Sequence, residues 1–202
     1  MKRTINRCEI CRWNFQKREK VCSIMKKNDK SGGKYMILQL NATRKEILMA
    51  IESIPEHLFN AKKSEHTWSV GQVLEHLHKT EVEITKAISY MLSLPPQEPL
   101  ADIPLAMTLD RSKKITASST ITPSSQALNK RDILDSLSKS RNHLLQLIDT
   151  IPSELDLTRI GFKHPVFDKI SLKQWIEFIG YHEKRHLAQI EEIKDTITTE
   201  SV

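Results

Sequence analysis

Glycine is scarce, with 5 in 202 residues, and cysteine is absent after Cys22. Little glycine argues against a loop-rich β fold and leaves room for long uninterrupted helices. A cysteine-free remainder excludes a disulfide framework and suits a reducing compartment. No apolar run approaches the roughly 20 residues needed to cross a bilayer, and the basic N-terminus is not followed by the apolar stretch of a secretion signal. A soluble, cytoplasmic protein is expected, with room for one domain.

The net charge of +6 is unevenly spread. Eleven of the 31 Lys and Arg fall in residues 1–35 against three of the 25 acidic residues, a local net of +8, so the rest of the chain is slightly acidic. A face that binds nucleic acid through its phosphates would have to lie in this leader, and a nucleic-acid partner is not expected for the remainder. Cys8 and Cys11 form a C-x-x-C pair there, and Cys22 adds a third thiol. A structural zinc site wants four ligands, and the next candidate, His57, is far along the chain. Free thiols in a disordered basic extension over 1–35, followed by a folded domain over 36–202, are the expectation. The stretch Ser31–Tyr35 just before Met36 can encode a purine-rich ribosome-binding site, so translation is expected to start at Met36.

From Met36 onward four segments carry helical periodicity. Their apolar stripes are Ile47, Ile51, Ile54 and Leu58, then Val70, Val73, Leu77, Ile84, Ile88 and Met91. Ile133, Leu137, Leu144, Ile148 and Ile151 form the third, and Leu172, Trp175, Ile179, Leu187, Ile190 and Ile193 the fourth. Capping-box spacings at Thr43/Glu46, Ser69/Gln72 and Ser171/Gln174 mark three starts, and Asn129 with Asp132 marks the other. Four amphipathic helices of this length predict an all-α four-helix bundle. Ser93–Gln126, rich in Pro, Ser and Thr, is too long for a tight turn and is expected to cross an end of the bundle. Gly161–Ile170 reads as an ordered loop or short extended piece.

Residues 182–186 read HEKRH, the H-E-x-x-H pattern of zinc peptidases. On the fourth helix His182, His186 and Gln189 continue the seam of Leu172, Trp175 and Ile179, so two imidazoles and an amide face the core and need partners. A metal satisfies both imidazoles at once; hydrogen bonding within a polar core layer, or a wet end of the seam, is the alternative. A peptidase takes a third ligand downstream, but Gln189 and Glu192 occupy the extended motif's Gly and His positions. Upstream, His76 lies beside Val73 and Leu77 and is the better third ligand, whereas His78 points toward solvent. His57, His66, His143 and His164 read as surface or loop residues. Glu183 is a general base only if it reaches the metal, and is expected at an edge or on the surface.

Trp68-Ser69, Gln72-Val73-Leu74 and His76-Leu77, with the closing His182-Glu183-x-x-His186-Leu187-x-Gln189-Ile190, resemble the DinB-like four-helix family, in its branch with an H-P-V-F segment (His164–Phe167). The likeness spans most of Met36 to Lys194. It implies an up-up-down-down bundle with a long crossover between helices 2 and 3, and a divalent metal, expected to be zinc or nickel, held by His76, His182 and His186. It also implies transfer or isomerisation chemistry with low-molecular-weight thiols, and a homodimer. Asp168 stands where relatives often have Gly, and His78 and Lys79 replace acidic residues common there. A metal-dependent transferase acting with a small thiol is expected; a hydrolase and a non-catalytic metal- or ligand-binding bundle are the alternatives.

Overall fold

The computed structural model describes residues 32–112 and 115–199, so the expectations for Cys8, Cys11, Cys22 and the basic leader lie outside the described residues. Four helices dominate: α1 (Gly32–Glu52), α2 (Val70–Met91), α3 (Lys130–Asp149) and α4 (Leu172–Thr199). A two-stranded antiparallel hairpin, β1 (Gly161–His164) and β2 (Asp168–Ser171), precedes α4 with His164 opposite Asp168. The extended piece expected over 161–170 is therefore a β-hairpin, a small addition to a helical bundle.

The predicted caps have unequal fates. At α2 the Ser69 hydroxyl accepts from Gln72 N and the Gln72 side chain accepts from Ser69 N, a complete capping box. Asn129 caps α3 by accepting from Asp132 N. Ser171 makes half a box, because the Gln174 amide donates instead to Ile103 O at 2.9 Å. Thr43 caps nothing: it lies inside α1, and its hydroxyl donates back to Gln39 O. Met36 and Leu40 extend the buried stripe of Ile47 and Ile51, and burying such side chains, roughly 1.5–3 kcal/mol each, outweighs the capping preference. Gly71 in the first turn of α2 is required by a close approach, since a Cβ there would meet Phe59 Cε1 at 2.8 Å.

Contacts fix the helix directions. Leu40 lies beside Gly180 and Arg44 beside Glu183, so α1 and α4 run parallel. Arg141 reaches Leu40 O, Arg44 reaches Leu137 O, and Lys130 reaches Ile51 O and Ile54 O, so α1 and α3 are antiparallel. His76 meets His182 while Trp68 meets His186, so α2 and α4 are antiparallel too. The bundle therefore runs up-down-down-up, not in the expected up-up-down-down order. A long crossover between helices 2 and 3 is what this order needs, because it joins the end of α2 to the start of a parallel neighbour.

That crossover travels the length of the bundle instead of crossing an end. It runs beside α4, where Lys173 pairs with Asp102, Arg185 donates to Thr108 O and Arg111 pairs with Glu192. It then reaches the start of α2, where Ser124 O accepts from Gln72 and Ser124 N donates to Glu75.

Two apolar clusters make up the core. One holds Leu40, Ile88, Met91, Leu144, Leu172 and Ile176, the other Ile47, Phe59, Val73, Leu74, Leu137 and Ile190. Between them lies a charged layer with one residue from each helix: Arg44, Glu81, Arg141 and Glu183. Arg44 Nε donates to Glu183 Oε1 at 2.7 Å, Arg141 Nε to Glu81 Oε1 at 2.7 Å, and Arg141 Nη2 to Glu183 Oε1 at 2.8 Å. Ser140 Oγ donates to Glu81 Oε2 at 2.5 Å. Burial alone would raise the Glu81 carboxyl, but Arg44 and Arg141 hold it below its ordinary value.

Candidate metal centre

His76 comes from the second turn of α2, and His182 and His186 from successive turns of α4. Antiparallel packing of the two helices brings all three rings to one point beside the charged layer. His182 Nε2 stands 3.2 Å from His76 Nε2 and 3.2 Å from His186 Nε2. The three rings offer ligand atoms that lie within 4.8 Å of one another.

The outer nitrogens decide the tautomers. His76 Nδ1 lies 2.8 Å from Ile121 O, and His186 Nδ1 lies 2.8 Å from Gln189 Oε1. Each partner is an acceptor only, so each Nδ1 carries the proton and each Nε2 turns a lone pair inward. One proton on His182 Nε2 could satisfy one of its two neighbours and would leave the other facing it across 3.2 Å. A cation resolves that conflict. Metal–nitrogen bonds of about 2.1 Å place ligand atoms about 3.4 Å apart in a tetrahedral site and about 3.0 Å apart in an octahedral one; the two 3.2 Å separations fall between, while the three atoms as a set lie within 4.8 Å of one another. Three neutral imidazoles are therefore compatible with a divalent ion, which two of the three separations match as they stand.

Burial keeps the rings neutral and ready to ligate. His182 lies well below its ordinary value, first through burial and then through His186 and His76. His186 falls to about 3 by burial, with His76, Arg185 and Arg111 adding to the effect. His76 is lowered by burial against the opposing pull of Ile121 O. Trp68 lies over this group, 4.9 Å from His76 and stacked at 6.5 Å on His186.

Three other residues depart from expectation. Glu183 is only 2% exposed, with Oε1 held by Arg44 and Arg141 and Oε2 sealed in without a partner among the described residues, so it is not at an edge. His78 is half-buried, and its Nδ1 is sealed in without a partner among the described residues. His164 is buried among Phe167, Trp175 and Phe178. Its fixed place in the hairpin, invisible as a helical period, explains that error. His57, His66 and His143 are exposed as expected.

The family model of the DinB superfamily matches residues 39–190. The chain belongs to this superfamily. An uncharacterized protein of Bacillus subtilis strain 168, YuaE, is 32% identical over 157 residues, which cover 78% of this chain and 96% of that protein. Among solved structures, the four-helix bundle protein TT2238 aligns with a TM-score of 0.55 at 19% identity, over 79% of this chain and 98% of its own. YfiT from Bacillus subtilis, described as a probable metal-dependent hydrolase with an unusual four-helix bundle topology, aligns with a TM-score of 0.57 at 17% identity. That alignment covers 82% of this chain and 87% of YfiT. As a DinB superfamily member, the chain has a bundle whose three-histidine cluster is compatible with a metal site.

Proposed function

We propose that the protein is a metal-dependent transferase that takes a low-molecular-weight thiol as cosubstrate, with zinc or nickel held by His76, His182 and His186. The observation that carries this reading is the sequestration of Glu183. The one carboxylate within the H-E-x-x-H motif is tied to two guanidinium groups, so a peptidase-type general base is missing and ionising the nucleophile falls to the metal alone, a smaller shift for a thiol than for water. A thiol starts from a pKa of about 8.5 and ionises without a dedicated base once a cation favours its thiolate. A divalent ion at the three rings supplies that Lewis acidity in its open position.

The chain's own residues supply the setting. Ile121 O and Gln189 Oε1 hold His76 and His186 with Nε2 unprotonated. Arg185 and Arg111 add positive field at His186, which also favours an anionic sulfur. Trp68 shields one side of the ring cluster from water.

The test is elemental analysis of the purified chain followed by a screen of small thiols against electrophilic acceptors. About one divalent ion per chain and turnover only when thiol is present are expected. Turnover of esters or amides without thiol would favour a hydrolase, the activity suggested for YfiT. Metal uptake with no turnover in either screen would favour a binding protein.

A further inference from the structure

We infer that His164 is a substrate-binding residue, whose Nε2–H donates a hydrogen bond to an oxygen acceptor on the molecule held at the three-histidine centre. The inference rests on the thiol reading above and narrows its cosubstrate to thiols that carry a carboxylate or carbonyl oxygen.

The hairpin is fastened to α4. Leu172 N donates to Ile160 O at 2.7 Å and Trp175 Nε1 to Phe162 O at 3.4 Å. This holds the His164 ring stacked on Phe167 at 5.2 Å and edge-on to Trp175 at 4.6 Å and Phe178 at 4.5 Å. Val166 N donates to His164 Nδ1 at 3.1 Å. That bond uses the Nδ1 lone pair, so the neutral ring carries its proton on Nε2. Burial brings His164 down to about 4, which keeps the ring neutral throughout the physiological range.

Nε2–H has no hydrogen-bond partner among the described residues, on a residue that is 3% exposed. A phenylalanine would fill the same aromatic box. What the imidazole adds is a donor of fixed tautomer at its Nε2 edge. One ring separates it from a metal ligand: Phe178 packs on His164 at 4.5 Å and on His182 at 5.5 Å. The aromatic wall from His182 through Phe178 thus ends at a ring whose Nε2–H is unfilled among the described residues. Such a donor recognises oxygen lone pairs and gives nothing to an alkyl group.

The test uses the full chain loaded with Co²⁺, with the sulfur-to-metal absorption band as the reading of thiol binding. Mercaptoacetate supplies an acceptor oxygen; ethanethiol does not. His164→Phe is expected to weaken mercaptoacetate by roughly tenfold, the loss of one hydrogen bond, and to leave ethanethiol within about twofold. His164→Gln, which keeps a donor, is expected to recover part of the loss. Should His164→Phe fail to fold, imidazole ¹⁵N spectra of the unsubstituted protein decide: the His164 Nε2 signal is expected to be protonated and to move with mercaptoacetate but not with ethanethiol. Equal weakening of both thiols, or a His164 signal that ignores mercaptoacetate, overturns the inference alone. Binding of neither thiol by the Co²⁺-loaded protein overturns the thiol reading and this inference with it.

Discussion

His76 and His182 face each other nitrogen to nitrogen at 3.2 Å, although 106 residues separate them in the chain. Each brings an Nε2 to the same point as His186. Replacing any one of the three by Ala should drop metal content well below one ion per chain after dialysis against a weak chelator, while His78→Ala should leave it unchanged. Metal analysis of the folded variants checks this. Full retention in His76→Ala would sink the three-histidine centre.

Gln189 touches no ligand position itself, yet it fixes the tautomer of His186. Gln189→Leu removes that acceptor at little cost in volume. Metal affinity should fall by about 10–100-fold with the melting temperature of the metal-free protein nearly unchanged, as competition with a chromogenic chelator would show.

The charged layer gives a sharper stability test. Glu183→Gln or Arg141→Met leaves buried partners uncompensated and should cost about 3–5 kcal/mol in denaturant unfolding. Replacing Arg44, Glu81, Arg141 and Glu183 together by apolar residues of similar volume should cost far less than the sum of single changes, because no charge is then stranded. Additive losses would show that the layer is not one network.

Metal-free protein should lose stability on mild acidification. His76, His164, His182 and His186 all have lowered values in the folded chain, so below about 6.5 the unfolded chain binds protons that the folded chain refuses. Stability is fully present above that pH and declines toward about 4 for His164 and about 3 for His186, with each group contributing up to about 1.4 kcal/mol per pH unit. Chemical denaturation at a series of pH values measures the slope, which should shrink in His164→Phe.

Asp168 has a φ of 59°, the one left-handed non-glycine residue described. It closes the turn after Pro165–Phe167, where a side chain adds strain. Asp168→Gly should therefore stabilise the protein by up to about 1 kcal/mol, read as a small rise in melting temperature.

Much of this was legible. The stripes on Val70, Val73, Leu77, Ile84 and Ile88 gave α2 and its buried face, and the spacing of His182 and His186 put both on one side of α4. The charged layer was legible too but needed a different question. Leu40-Arg44-Ile47-Ile51, Leu77-Glu81-Ile84-Ile88, Leu137-Arg141-Leu144-Ile148 and Ile179-Glu183-His186-Ile190 share one spacing, with a charge in the same seam position of every helix. Two positive and two negative seam residues cannot all face water in an amphipathic bundle. Ile121 O left no trace, because a backbone carbonyl carries no sequence signal, and the buried state of His164 depended on strand pairing across a turn.

The layer of Arg44, Glu81, Arg141 and Glu183 works as a key cut across the bundle. Sliding any helix by one turn would leave apolar contacts nearly as good but would set a charge against hydrocarbon, so one alignment is selected out of several. His182 sits next to Glu183, and His76 is five residues from Glu81, so the ligands inherit their alignment from side chains that make no bond to them. Substitutions at the ligands or their partners therefore leave the key, and with it the alignment of the helices, in place.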